Sequence, residues 1–533
     1  MKTCPSHTRT RPVHRPSSFR THAASPSPWW VLIVLFSAAT TVPPALGQVT
    51  VVEDEDAQLQ TYRMTVSPAA DPDPAFKVRL LKHENKRKEG NAAPFYYRAQ
   101  LNLDRVSKAV HKEFGDAYTT WQDTAIPLDK LPKEKVRNAL SRFSGIVMGG
   151  LREATSRKFC DWGWELQNVT GLQAIAFLLP EVQKSRELAR MLALQTRLAI
   201  AENRLDDAIG FTQMNYQLGR DTAAEPLLIC GLVGIAISGV ANEHTLEIMA
   251  SPNAPNLYWA LAELPKPLID LRRAMRFELE IGPRVFPLLN DAEEEHRSPA
   301  EWSRYIGESC MTLLNDLTMS PVIPKEFFES LRGPEWEAAK NQLIGTAVGL
   351  WGYTRAKQEL IRGGMSREEV EAMSVGRVIA LQAARAYRHT TNELEKLSYM
   401  PFPEMKRRKD EIEKRLRRDG YFGSTIGSRE ILPIASLLLP GTEAARNSQE
   451  RLAREIAAMQ VIEALRMHAA ETGRFPAALE DVTVVPVPRN PATGLPFVYH
   501  TRTYDDRRMA ILELPDTDGF PSFNRRYEIR LRE

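Results

Sequence analysis

The chain has 533 residues, 43% of them hydrophobic and 26% charged, with a formal net charge of +3. Those proportions exclude a disordered tail protein, a collagen-like fibre and a small disulfide scaffold. Lys2, Arg9, Arg11, Arg15 and Arg20 all precede residue 48 and no Asp or Glu does, so removing these five bases with residues 1–47 takes the charge from +3 to −2 and leaves no global excess to attract nucleic acid.

Residues 1–47 have the order of a secretory signal: a basic stretch, an apolar run of 14 residues from Trp29 to Val42, then Ala45-Leu46-Gly47 before Gln48. The run is shorter than the roughly 20 residues of a bilayer-spanning helix. Pro43 and Pro44 break it where a cleavage region loosens. A signal peptide cleaved near Gly47/Gln48 is therefore expected over an uncleaved anchor, and the mature chain is expected to be exported, periplasmic or envelope-associated. It would meet a membrane only through this first segment, were that retained. Residues 48–75 are acidic from Glu53 to Asp56 and then Pro-rich (Ser67-Pro68, Asp71-Pro72-Asp73-Pro74) without an apolar period, so they are expected to form a linker.

Residues 76–400 are read as an α-helical domain, because apolar residues recur at helical spacing between Pro and Gly punctuation. Met191, Leu194, Leu198 and Ala201 are followed by the break Glu202-Asn203-Arg204, and Leu205, Ala208, Ile209, Thr212 and Tyr216 then rebuild a face. Two antiparallel helices over Ser185–Arg220 are predicted. Leu227–Ala241, with Gly231, Gly234 and Gly239, and Leu343–Tyr353, with Gly345 and Gly349, are apolar on nearly all sides. Too short to span a membrane, both are expected as buried central helices whose glycines permit close approach. Ser366-x-x-Glu369 predicts a capping box before a helix to about Tyr387.

Residues 401–430 form a basic connection. Its Met405–Arg418 stretch, with eight Lys or Arg and three acids, reads as a solvated helix. Residues 431–533 begin with the apolar stretch Ile431–Leu439 and a long helix over about Ala444–Glu471. After Gly473, turn chemistry and strand composition at Phe497-Val498-Tyr499 and Met509–Leu512 predict a small antiparallel sheet. The fold class expected is mainly α: stacked helical hairpins with a small α+β C-terminal region.

The chemistry-bearing residues are few. Outside the leader, Cys160, Cys230 and Cys310 are odd in number and spaced by 70 and 80 residues, which fits neither a disulfide framework nor a zinc pattern and allows at most one bridge. Glu293-x-x-His296 lacks the second copy that a dinuclear site needs, and no phosphate loop, calcium loop or nucleophile elbow is present. No cofactor or metal is expected. Cys160-Asp161-Trp162-Gly163-Trp164 is the most distinctive cluster. Cys160, with Asp161, is the catalytic candidate if a cation such as His389 or His468 stabilises its thiolate, and a buried core thiol otherwise. Asp206 and Asp207 point about 100° apart on a helix and favour its N-terminus over a shared substrate atom. Tyr258 and Trp259, in a helix bounded by Pro255 and Pro265, either line an interaction groove or anchor the core.

Some stretches resemble known families. The hairpin with Asn203-Arg204-Leu205-Asp206-Asp207-Ala208 at its turn is similar to one tetratricopeptide-type unit. The run Ala464–Asp481, with Gly473-Arg474-Phe475-Pro476 and then Pro488–Tyr499, resembles the globular part of type II secretion pseudopilins. That likeness implies a helix leading through a turn into a short sheet. Asn490 stands where that family often carries Asp, and its prepilin-peptidase site and adjoining membrane helix have no counterpart here. Asn91–Pro94, Cys160–Gly163, Leu205–Ala208, Gly231–Ala236 and Pro255–Leu261 resemble a group of secreted planctomycete-type bacterial proteins, which implies a bacterial, exported, largely helical protein and carries over no catalytic residue. The function expected is that of a non-catalytic helical interaction or scaffold protein of the envelope with a protein partner. The alternatives are an extracytoplasmic enzyme assembled from distant residues and an accessory component of a secretion or pilus-like assembly.

Overall fold

The computed structural model describes residues 49–54, 59–143, 145–166, 180–294, 297–312, 334–418, 432, 441–504, 507–515 and 524–532. The leader and its cleavage point lie outside the described residues. The protein is mainly helical with a small C-terminal sheet region. Its strands are β1 (Thr50–Asp54), β2 (Leu59–Val66), β3 (Lys88–Asn91), β4 (Arg157–Phe159), β5 (Val498–Tyr504), β6 (Arg507–Leu514) and β7 (Asn524–Leu531). The principal helices are α1 (Ala93–Phe114), α2 (Pro180–Ala201), α3 (Leu205–Thr222), α4 (Leu228–Met249), α5 (Tyr258–Ala262), α6 (Pro299–Met311), α7 (Pro334–Arg362), α8 (Val375–Glu395), α9 (Phe402–Arg418) and α10 (Gly441–Thr472).

The linker expected over 48–75 is corrected: Thr50–Asp54 and Leu59–Val66 within it are paired strands. β1 pairs antiparallel with β2, and β2 pairs in parallel with β7 from the far end of the chain, Tyr62 opposite Tyr527 and Met64 opposite Ile529. Tyr62, Met64 and Val66 are buried and alternate with exposed Arg63 and half-buried Thr65, the period of a strand with one covered face. The five-stranded order is β1-β2-β7-β6-β5, with the β5, β6 and β7 ladder antiparallel. The expected small antiparallel sheet is therefore completed by the N-terminal hairpin.

The boundaries expected near residues 400 and 430 also fall away. One core joins Tyr62 and Val66 with Tyr216, Leu246 and Leu257 from the helical region and Met459, Ile462, Phe475 and Leu512 from the C-terminal region. The described residues all belong to one compact unit. Arg466 of α10 fastens the junction, although it is fully buried. Its guanidinium grips Glu463 at 2.8 and 2.9 Å and donates to the carbonyls of Ser67 (2.9 Å) and Ala254 (2.8 Å). A buried guanidinium is tolerable only with its donors so occupied.

The helical hairpin predicted over 185–220 is α2 and α3, joined at 202–204 with Asn203 in the left-handed region (φ 58°). Helix α4 lies behind it, packed against α2, α3 and α10. It is the one helix among the described residues long and apolar enough to cross a membrane, yet it is largely buried inside the fold. Cys230, Val233 and Ile237 enter a second core with Tyr96, Trp162 and Leu192, while Ala241, Leu246 and Ile248 enter the first. Glycine makes this possible: a Cβ on Gly219 would sit 2.6 Å from Ser238 Oγ and 2.8 Å from the Gly234 carbonyl.

A third core, with Trp302, Ile306, Leu360, Val378, Leu381 and Tyr387, unites α6, α7 and α8. Ser366 and Glu369 form the predicted capping box, but it opens only the short helix Arg367–Glu371. A second N-cap, Ser374, starts α8, so the single helix expected to run to Tyr387 is two. In α9, Glu404 pairs with Arg407 and Arg408 on the solvated side, while Phe402, Met405 and Ile412 are buried with Leu397 and Ala492. Of the apolar stretch 431–439, only Leu432 is among the described residues.

Candidate functional site

The Cys160–Trp164 loop leaves β4 and is held from both sides. The Asn91 side chain accepts from the Asp161 amide (2.9 Å) and donates to the Asp161 carbonyl (2.7 Å). The Trp162 amide donates to Glu225 (2.8 Å), and its indole Nε1 donates to the Asp221 carbonyl (2.9 Å). Its ring stacks on Tyr96 and Trp164 at 5.6 and 5.7 Å between centroids and meets Tyr97 edge-on. Tyr96 then donates its hydroxyl to Asp221 at 2.7 Å, and Gln217 donates to the other oxygen at 2.7 Å. Buried in this way, the Asp221 carboxyl is pushed up to about 6, with the bonds from Tyr96 and Gln217 opposing the rise.

That environment decides the chemistry of the catalytic candidates. Cys160 is half-buried, and its thiol pKa is driven far up, first by burial and then by the carboxylates of Asp221, Glu225 and Asp161. Among the described residues no imidazole acts on it. Asp161 spends one carboxylate oxygen on the Gly163 amide at 2.9 Å, a local turn bond. The loop is built as an aromatic clasp between α1 and α3, and it opposes the thiolate that nucleophilic chemistry requires. Burial raises Cys230 and Cys310 to about 12, and all three thiols are free.

The groove candidates are used internally. Tyr258 is buried, takes its helix start from Asn256 Oδ1 (2.9 Å) and donates its hydroxyl to the Pro486 carbonyl. Trp259 donates to Asp71 at 2.7 Å and packs edge-on to Tyr258, 5.0 Å between centroids. Together they pin the 71–76 segment and the 486 turn against α5, so the groove expected there is a packed seam. Glu293 pairs with Arg388, and His296 lies outside the described residues. Among the described residues no three potential metal ligands converge. Asp207 pairs with Arg204 at the start of α3, and Asp206 beside it lies in the same first turn, the positions a helix N-terminus favours.

Two charged arrangements were not legible in the sequence. Arg197 of α2 is fully buried against Glu247 of α4 (3.2 Å) and donates to the carbonyls of Trp121 (2.7 Å), Asp123 (2.5 Å) and Ile126. Glu247 also accepts from His244 Nδ1 at 2.8 Å. Burial pushes this carboxyl up, and Arg197 and His244 more than reverse it, holding it below the usual range. The second is an open cavity of about 250 Å³, mouth included, between α10 and the sheet, lined by Arg451, Arg454, Glu455, Leu514 and Arg525. Arg525 pairs with Glu455 there, and Asn242 donates to the other Glu455 oxygen at 2.9 Å. Both arrangements join elements remote in sequence.

The surface feature that stands out is on α7. The sequence pattern buries Leu343–Tyr353 on all sides, and the structure corrects it: Leu343, Leu350 and Trp351 are 64%, 84% and 60% exposed. The inner side is as tightly packed as expected. A Cβ on Gly345 would overlap the Ser303 carbonyl of α6, and one on Gly307 of α6 would overlap the Asn341 carbonyl of α7. Ile344 and Val348 pack against the third core. From Asn341 to Thr354 the helix carries no charged residue, so its outer face is an uncharged apolar stripe on a helix held by backbone-to-backbone contact.

Comparison with protein-family models, with curated proteins and with solved structures finds no match to this chain.

Proposed function

We propose that this chain is an exported, non-catalytic interaction protein of the bacterial envelope, and that it binds a protein partner through the outer face of α7. The observation that carries the reading is the exposed, uncharged stripe of Leu343, Ala347, Leu350 and Trp351. Contiguous apolar surface is disfavoured in water, and a large patch of it on a well-packed fold marks an association site. A preorganised helix face also binds with less ordering entropy than a loop, which suits this rigidly seated rod. The leader composition and the likeness to secreted planctomycete-type proteins support export. The acidic, desolvated surroundings of Cys160 weigh against a thiol enzyme.

The test is a mild crosslink and pull-down of the tagged chain from its native envelope, comparing the parent with Leu350→Glu/Trp351→Glu. Stoichiometric capture in the parent and its loss in the variant is the expected result. Capture that ignores the variant overturns the α7 assignment. Partition of the parent into lipid vesicles through the same two residues replaces the protein partner by a lipid surface.

A further inference from the structure

We infer that the occupant of the α7 stripe is a second copy of this chain, packed as an antiparallel two-fold helix pair centred between Ala347 and Leu350; the inference rests on the interaction reading above. Three observations carry it. The first is spacing: Leu343, Ala347, Leu350 and Thr354 follow one another at intervals of 4, 3 and 4 residues, the seam pattern of helices lying side by side. Ala347 is the small residue at its middle. In an antiparallel arrangement with the two-fold axis midway between Ala347 and Leu350, Leu343 meets Thr354 of the partner subunit and Ala347 meets the partner's Leu350. The stripe is then complementary to itself, which a closed isologous contact requires.

The second observation is charge. A surface that meets its own copy brings each charge near a like one, and like charges placed together weaken the contact. The face from Asn341 to Thr354 has none. In a chain with 26% charged residues, an uncharged stretch of that length on an exposed helix fits self-contact.

The third is area. Leu343, Leu350 and Trp351 together offer on the order of 400 Å² of apolar surface. A two-fold pair covers about twice that, and Thr346, Ala347 and Thr354 bring it to the roughly 1,000 Å² from which specific interfaces begin. The contact is predicted at the small end of stable dimers, with Trp351 and Leu350 as its anchors.

The experiment is light scattering coupled to size exclusion on the purified full chain across a hundredfold concentration range. It is run beside Leu350→Glu/Trp351→Glu, and beside Ala347→Cys treated with a short bismaleimide. The expected result is a concentration-dependent dimer in the parent, a monomer at every concentration in the double variant with an unchanged circular dichroism spectrum, and efficient crosslinking of Ala347→Cys. Lys108→Cys, exposed on α1, serves as the control and should stay uncrosslinked. A monomeric parent, or crosslinking of Ala347→Cys no better than the control, overturns the second-copy assignment. If the parent is monomeric and the envelope pull-down still depends on Leu350 and Trp351, the interaction reading stands with a different protein partner. If the pull-down is indifferent to them as well, both fall.

Discussion

Helices α4 and α7 begin from the same sequence pattern and end in different places. Both are apolar runs punctuated by glycines, and in both the glycines bring backbones together: Gly234 against Gly219 in one, Gly345 against Ser303 in the other. The difference lies on the opposite face. Helix α4 is covered by α2, α3 and α10 and contributes to two cores, whereas α7 is covered by α6 and α8 and turns Leu343, Leu350 and Trp351 outward. Glycine spacing thus reports close approach on one side of a helix and says nothing about the other. Polar content separates them as well, because α4 carries Asn242, His244, Thr245 and Glu247 into the interior, each with a partner.

The sharpest way to break this comparison is through the polar interior of α4. Arg197→Met leaves Glu247 buried without its guanidinium and frees three loop carbonyls, and removing one member of such a pair typically costs about 3–5 kcal/mol. Chemical denaturation of the variant should show a loss of that size. A loss below about 1 kcal/mol would mean that the site admits water and that α4 is less buried than its packing shows.

The glycine contacts come next. Gly234→Leu and Gly345→Leu each drive a side chain into backbone, beyond the roughly 1–3 kcal/mol of ordinary overpacking, so neither variant should give a cooperative unfolding transition at 37 °C. Gly239, on the same helix as Gly234, has open space where a Cβ would stand, with nothing within 4 Å. Gly239→Ala should therefore stabilise by about 0.4–1 kcal/mol, through helix propensity and a less flexible unfolded chain. Were Gly345→Ala as harmless as Gly239→Ala, the claim that α7 is locked to α6 would fail.

How much of this was legible follows from the range of each signal. The α2–α3 hairpin, α10, the Ser366 cap and the β5–β6 strands rest on neighbours within a few turns, and their periods stand in the sequence. The β1–β2 hairpin does not, because its alternation at Tyr62, Met64 and Val66 is short and flanked by acids and prolines, and β2 pairs with a strand more than 450 residues away. Arg197 and Arg466 carry no local signal of burial, since the carbonyls that accept from them belong to segments no local window contains. Cys160 was legible as a choice between thiolate and core thiol. Only the three-dimensional placement of Asp221 and Glu225 around it decides the matter.

Asp221 sharpens the comparison from the side of α3. Its carboxyl is raised from 3.8 to about 6 by burial, against the hydrogen bonds of Tyr96 and Gln217 and the more distant charges of Arg87 and Arg220. The folded state therefore holds this proton more tightly than the unfolded chain. The associated stability is fully present below about pH 3.8 and is lost as pH rises through about 6. A rise of that size corresponds to roughly 3 kcal/mol. Asp221→Asn removes the titration, so the stability difference between variant and parent should move in the variant's favour by an amount of that order between pH 4 and pH 7, measured by urea unfolding. A difference that stays flat with pH would show that Asp221 is solvated and the clasp around Trp162 open.

The smallest effect is expected where the two helices differ most. Leu350→Glu and Trp351→Glu alter side chains already surrounded by water, and exposed substitutions away from packed features usually change stability by less than about 0.5 kcal/mol. The matched change on α4, Leu246→Glu, buries an unpaired carboxylate among Ile248, Leu257 and Met459, which forces protonation or unfolding. Thermal melts of the three variants should place Leu350→Glu and Trp351→Glu within a degree or two of the parent and leave Leu246→Glu without a folded baseline. A marked drop for Leu350→Glu in dilute, monomeric protein would mean that the stripe is covered within the chain itself, and the outer face of α7 would then be core, as the sequence pattern alone suggests.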